Sequence, residues 1–374
     1  MKITPYSIHI PNKDLQDLRS RLERTRWPDE VTGAGWAYGA NLAYMQELIA
    51  HWLHGFDWRK QEEKLNSFPQ FRAEVDGIGI HFVHLRGQGP SPIPLILTHG
   101  WPSSFYEMLE LARQLADDFD VIVPSLPGFG FSDIPTEPGM GRSKVAALWV
   151  KLMEGLGYVR FGVHGNDIGA VIHAYIARDH PDRLIGLHTM MPTHPAPAFR
   201  SDEPPMSLTE ERFAEYTRQW DQQEGGYNLL QATRPQTLAY GLNDSPVGLA
   251  AWIIEKWRSW GTLDGDLDKV FSWDDVLTNV AVYWLTQTAN SSGRSYYERA
   301  HDPNAFEKGQ RIHVPTGVAL SLEPVQRAPR EWVERVYTDI RRWTEFDHGG
   351  HFMAIEDPQA LAGDIREFFR GLRS

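Results

Sequence analysis

The 374-residue sequence contains no cysteine. Disulfide frameworks, thiolate metal sites and cysteine nucleophiles are thereby excluded. Positive charge is scarce: 37 Lys and Arg stand against 49 Asp and Glu, a formal net charge of −12. A nucleic-acid binder needs a basic footprint to meet phosphates, and adhesion to an anionic membrane surface needs the same. Long apolar runs are missing too, since no stretch approaches the ~18 uninterrupted apolar residues of a membrane span. The opening segment, MKITPYSIHIPNK, lacks the apolar run of a signal peptide. There is no fixed-period repeat and no low-complexity tract. What the sequence has is rings: 14 Trp, 13 Tyr and 17 Phe. They can build a large core and line an apolar pocket. The expectation is a soluble, cytoplasmic globular protein with no membrane anchor and no nucleic-acid partner.

Residues 12–26 carry a helical pattern, with Asn12 as N-cap, Leu15, Leu18 and Leu22 on one face, and Pro28 beyond the end. Leu42, Met45, Leu48, Ile49 and Trp52 repeat at helical spacing. Residues 1–71 thus read as a helical N-terminal arm packing on the core. From residue 72 the rhythm changes. Arg72–Val75 and Ile80–Leu85 flank an Asp76-Gly77 hairpin turn. Short apolar runs then alternate with helical patterns at Pro94–Thr98, Asp120–Pro124, Phe161–His164, Leu184–Thr189 and His313–Leu320. Asp339–Thr344 is a further strand-like segment, and Pro358–Leu372 a final helix. The alternation predicts a mostly parallel, eight-stranded sheet flanked by helices. Residues 193–308 interrupt it with helical, Trp- and Tyr-rich sequence. They read as a cap over the carboxyl ends of the strands, with the core formed by 72–192 and 309–374.

The sharpest local feature is His164-Gly165-Asn166-Asp167-Ile168-Gly169-Ala170, directly after a strand and before a helix. Glycines two residues either side of a central residue match a nucleophile elbow, G-x-Nu-x-G. The turn is too tight for Cβ atoms at the glycine positions, and it thrusts the central side chain out at the top of the sheet. Here that residue is Asp167. A carboxylate there can displace at an electrophilic carbon and leave an alkyl ester. The same pentapeptide also fits an Asp in a Gly-rich loop or at a helix N-cap.

Three further segments fit the chain order of an α/β-hydrolase. Thr98-His99-Gly100-Trp101-Pro102 follows a strand, as does the loop that supplies one oxyanion-hole N–H. That N–H would belong to Trp101 and its companion to Ile168. His351, in Asp347-His348-Gly349-Gly350-His351-Phe352, lies after the last strand and can reach the elbow as base. Glu323 is the first carboxylate beyond the strand His313–Leu320, where an acid orienting that base should sit. Asp347, four positions before His351, competes for that role.

With these residues in place, the sequence resembles epoxide hydrolases of the microsomal and juvenile-hormone type, over nearly the whole chain. The resemblance rests on Thr25-Arg26-Trp27-Pro28 and Phe56-Asp57-Trp58-Arg59 in the arm. It continues through Glu224-Gly225-Gly226-Tyr227, Gln231-Ala232-Thr233, Leu242–Leu249, Tyr283-Trp284 and Arg294-Ser295-Tyr296, and closes on Gly349-Gly350-His351-Phe352. It implies an α/β-hydrolase fold with a helical cap and N-terminal arm. It further implies Asp167 as nucleophile, His351 as the base that activates water, and Tyr227 and Tyr296 as donors to the epoxide oxygen. Two departures stand out. Many relatives carry Trp where this chain has Ile168, and they place the acid one residue later, where this chain has Pro324.

The expected reaction is hydrolysis of a small apolar epoxide to a vicinal diol through an Asp167 ester. It needs water but no metal or organic cofactor. Trp101 and Ile168 would also contact substrate. A homodimer is left open. Two other functions fit the same scaffold. Dehalogenation uses the same Asp–His chemistry but needs halide donors, often an indole beside the nucleophile, which Ile168 does not supply. A non-catalytic ligand-binding protein is the other, because fold alone does not fix function.

Overall fold

A computed structural model describes residues 1–199, 203–261, 264–307 and 309–372. Its centre is a nine-stranded sheet: β1 (Ile3–Tyr6), β2 (Gln70–Val75), β3 (Ile78–Leu85), β4 (Ile93–Thr98), β5 (Phe119–Pro124), β6 (Phe161–Gly165), β7 (Leu184–Thr189), β8 (Thr316–Leu320) and β9 (Ile340–Glu345). The spatial order is β1-β2-β3-β5-β4-β6-β7-β8-β9. Pairing is antiparallel from β1 through β3 to β5 and parallel from there to β9. Strands covered on both faces become continuous apolar runs. Accordingly Leu95, Ile96 and Leu97 of β4 and Val121, Ile122 and Val123 of β5 are wholly buried. The β2–β3 hairpin turns at Asp76 and Gly77, both at positive φ (50° and 80°), as a two-residue hairpin loop requires.

Eight of the strands are those expected from the sequence, and the sheet gains a ninth. β1 lies inside the arm expected to be helical, and it pairs Ile3–Tyr6 with Gln70–Ala73. The arm therefore joins the sheet edge instead of merely covering it. Its helices also differ from expectation. The first is Asn12–Glu23, shorter than 12–26, with Pro11 in the N-cap place given to Asn12. The second is Leu42–His54, and an unforeseen third covers Trp58–Asn66. β8 begins at Thr316, three residues later than expected.

Between β7 and β8 the described residues form helices and no strand. The long ones are Leu208–Glu224, Gly226–Thr233, Pro235–Leu242, Pro246–Gly261, Trp273–Leu285 and Ala289–Ala300. The expected border at 308 falls on Lys308, outside the described residues. Ser207 and Glu210 close a capping box at the start of the first of these helices. The arm is fastened to this insertion. Arg21 donates to the backbone carbonyl and the carboxylate of Asp244, and Tyr44 donates to Asp268. Among the described residues, no helix is long and apolar enough to cross a membrane.

Candidate active site

Four parallel strands end on one edge of the sheet, and each delivers a residue there. β6 runs into Asp167, which has φ 48° and opens the helix Asp167–Asp179. A non-glycine residue at positive φ is costly and needs its surroundings to hold it. The flanking glycines allow the turn to close. A Cβ on Gly169 would lie 2.0 Å from the Thr98 carbonyl oxygen, and one on Gly165 would lie 2.9 Å from the Gly169 carbonyl carbon. β4 leads to Trp101, whose backbone N–H donates to Asp167 Oδ1 at 2.9 Å. The loop after Trp101 is pinned by the insertion: Trp257 and Asn279 donate to the Pro102 carbonyl, and Tyr283 to that of Ser103.

β8 ends at Leu320, and Glu323 follows in the buried turn beyond it. β9 leads to His351, which is equally buried. His351 Nδ1 donates to Glu323 Oε2 at 2.8 Å, and its Nε2 lies 4.0 Å from Asp167 Oδ2. The second distance is too long for a hydrogen bond. Asp347 instead faces solvent and pairs with His348, which also bridges to Asp357. The structure therefore brings Asp167, His351 and Glu323 together and leaves Asp347 and His348 outside. Burial pulls the His351 proton affinity down. The charges of Glu323, Asp167 and Glu107 outweigh it and push the pKa up to about 9.

Tyr227 and Tyr296 come from two insertion helices and meet over the elbow. The Trp101 indole stacks on Tyr227, with centroids 5.0 Å apart and planes 5° apart, and meets Tyr296 edge-on at 5.9 Å. Among the described residues neither hydroxyl has a hydrogen-bond partner, and both rings line the same cavity as Asp167 and His351. Burial and the nearby Asp167 charge raise both phenols far above their ordinary range, so they remain O–H donors. The cavity holds about 550 Å³, within the range of small-molecule pockets. Ile168 and Glu323 also line it. Trp101, expected to contact substrate, packs against both Tyr rings and is not among the residues that line the cavity. Among the described residues no cluster of three or more His, Asp or Glu could hold a metal ion.

Sequence reasoning passed over several residues that hold this arrangement. Asn166 donates to the His351 carbonyl at 2.6 Å, and the His351 N–H donates to the Trp260 carbonyl. Gln326, on the same turn as Glu323, packs on the imidazole with its amide nitrogen 2.8 Å from His351 Nδ1, but this is no hydrogen bond, because the Nδ1 proton goes to Glu323. Asn166 sat in plain view inside the elbow motif. Gln326 had only its spacing, three residues after Glu323, as a signal.

An α/β sheet with an Asp-bearing strand-to-helix turn, a Glu-paired His and a helical insertion defines an α/β-hydrolase. Comparisons with known proteins are narrower. The family models described as "Epoxide hydrolase N terminus" and "alpha/beta hydrolase fold" match residues 3–108 and 93–260. Epoxide hydrolase 1 of Oryctolagus cuniculus is 34% identical over 98% of this chain and 88% of its own. The crystal structure of juvenile hormone epoxide hydrolase from the silkworm Bombyx mori superposes with a TM-score of 0.87 at 29% identity, covering 100% of this chain and 94% of that one. The epoxide hydrolase structure from Aspergillus niger gives 0.87 at 27% identity, covering 100% and 97%. The chain belongs to the epoxide hydrolase family.

Proposed function

We propose that this protein hydrolyses an epoxide to a vicinal diol through a covalent ester on Asp167, beneath a cap formed by the helical insertion. The observation that carries this reading is the elbow carboxylate itself. One oxygen is held by the Trp101 N–H, and the other faces a histidine already paired with Glu323. Asp167 Oδ2 attacks one ring carbon from the side opposite the breaking C–O bond. Tyr227 and Tyr296 donate to the ring oxygen, and one of them hands over its proton as the alkoxide forms.

Ester formation removes the Asp167 charge, one of the charges that keep His351 protonated. The imidazole then releases its proton, which restores the tyrosine through solvent, and becomes a competent base. Its Nε2 next takes a proton from water, and the hydroxide attacks the ester carbonyl. The N–H groups of Trp101 and Ile168 stabilise the tetrahedral oxyanion. The Ile168 N–H lies in the first turn of a helix, where backbone donors have no intrahelical partner. Collapse frees the diol and returns Asp167 as a carboxylate beside protonated His351.

Single-turnover hydrolysis in heavy-oxygen water tests this sequence of steps. Water attacks the ester carbonyl, so the label should enter the Asp167 carboxylate and be found in its peptide. Label confined to the diol would rule out the covalent route.

A further inference from the structure

The cavity contains a cation that the mechanism above does not use. Arg142 opens the helix Arg142–Gly155 and is only 3% exposed, yet it lines the cavity with Asp167 and Tyr296. Its Nε has no hydrogen-bond partner, and its guanidinium makes no ion pair among the described residues. A buried, unpaired guanidinium is expensive, because desolvation disfavours the charge. Burial and the neighbouring Arg299 accordingly lower its pKa to about 10, which still leaves it cationic at neutral pH.

Arg299 lines the same cavity from the insertion. Its one hydrogen bond there goes to the neutral amide oxygen of Asn228. The two guanidinium carbons lie 5.8 Å and 5.6 Å from the centre of the Tyr296 ring. The other charged side chains on the cavity wall are Asp167, Arg218, Asp221, Glu323 and His351; Arg218 is already paired with Glu215 and His351 with Glu323. Two guanidinium groups that approach one tyrosine ring on the cavity wall and make no ion pair among the described residues match an oxyanion, which guanidinium groups bind through paired N–H donors.

We infer that the pocket is built for epoxides bearing a carboxylate, which Arg142 and Arg299 bind beside Tyr296 while the ring meets Asp167. The inference rests on the epoxide-hydrolysis reading and narrows its substrate class. It also accounts for the charge of the intermediate. When Asp167 becomes a neutral ester, the substrate carboxylate remains in the cavity as counter-charge to Arg142.

Two measurements on the full chain test this. The first compares kcat/KM for trans-3-phenylglycidate and its neutral amide. Wild type should prefer the acid by roughly ten- to a hundredfold, the scale of charge-assisted hydrogen bonds. Arg142→Met, and separately Arg299→Gln, should bring that ratio towards one, and Arg142→Lys should keep part of it. The ratio cancels any effect of these arginines on Tyr296, because both substrates use the same acid. A ratio near one in wild type, or one unchanged in both variants, overturns the inference and leaves epoxide hydrolysis intact.

The second is calorimetric titration with unreactive 3-phenylpropionate and 3-phenylpropionamide. Tighter binding of the acid in wild type, lost in the variants, supports the subsite even if neither glycidate turns over. That outcome would count against the reaction alone. Equal affinity for acid and amide overturns the subsite. Melting curves of each variant identify misfolding, and the half-exposed Arg299 gives a variant that does not disturb the core.

Discussion

His351 is held through three different atoms. Glu323 engages Nδ1, Asn166 the backbone carbonyl, and the Trp260 carbonyl the backbone N–H. This leaves Nε2 as the one ring nitrogen facing Asp167. The Asp167 charge is one cause of the high proton affinity, so Asp167→Asn should lower the His351 titration midpoint by about one pH unit or more. NMR of the imidazole would read it, and a midpoint still near 9 would assign the effect to Glu323 and Glu107. Replacing the base separates the two half-reactions. His351→Gln should form the ester and fail to hydrolyse it, so an adduct accumulates in the intact mass. His348→Gln should leave turnover unchanged, because His348 is engaged with Asp347 and Asp357 at the surface. Glu323→Gln should slow ester hydrolysis by ~10² or more while sparing alkylation. That Asp167 and His351 meet at one sheet edge could be read from chain order and strand ends, whereas the choice of Glu323 over Asp347 as the partner of His351 needed the structure. Arg142 could not be read at all, because nothing in Gly141-Arg142-Ser143 signals that a guanidinium is buried.

The elbow depends on two glycines that both lie against backbone but at different distances, and a third glycine gives the control. A methyl at Gly169 meets a backbone carbonyl oxygen at 2.0 Å, so Gly169→Ala forces β4 and the elbow helix apart. It should cost about 3 kcal/mol or more, the upper range for overpacking. Gly165→Ala, with its closest contact at 2.9 Å, should cost less. Gly363 lies inside the helix Pro358–Arg370, and a methyl there meets nothing within 4 Å. Gly363→Ala should therefore stabilise by roughly 0.5–1 kcal/mol. Urea midpoints of the three variants give the order, and equal destabilisation by Gly165→Ala and Gly169→Ala would refute the contact argument. Elements with a buried face were legible before the structure. β1 was not, since its four residues are mostly exposed and carry no alternation. The helix Trp58–Asn66 escaped for a related reason. It buries Trp58, Glu62 and Leu65, and one of those three is charged, which breaks the apolar stripe.

The whole molecule carries buried acids whose effect on stability depends on pH. Glu107 is 4% exposed, and burial pushes its carboxyl up to about 7 from the ordinary value of 4.5. The folded state therefore binds this proton more tightly than the unfolded chain. The resulting loss of stability builds up as pH rises from 4.5 to about 7 and is complete above it. Glu107→Gln keeps the shape and removes the charge. It should raise the Tm at pH 8, with the gain shrinking as pH falls towards 5, and a gain independent of pH would point to packing instead. At this scale the change in sequence rhythm marks the run of helices between β7 and β8 off from the strands on either side. The ties between arm and insertion leave no such mark, because Arg21–Asp244 and Tyr44–Asp268 join residues more than two hundred positions apart.

The two open tyrosine hydroxyls hang from the insertion, whereas Asp167, Glu323 and His351 all stand on strand ends. On the proposed mechanism ring opening takes its proton donors from the insertion and its nucleophile from the sheet, whereas ester release uses groups of the sheet alone, held in place by Trp257, Trp260, Asn279 and Tyr283 of the insertion. Heredity can work on them separately. Drift or selection within 208–300 that spares those four residues would change which epoxides are opened, and how fast, while the ester formed from any of them meets the same histidine. Chimeras exchanging that stretch with a relative, those four residues retained, should show alkylation rates that follow the donor and deacylation rates that follow the recipient.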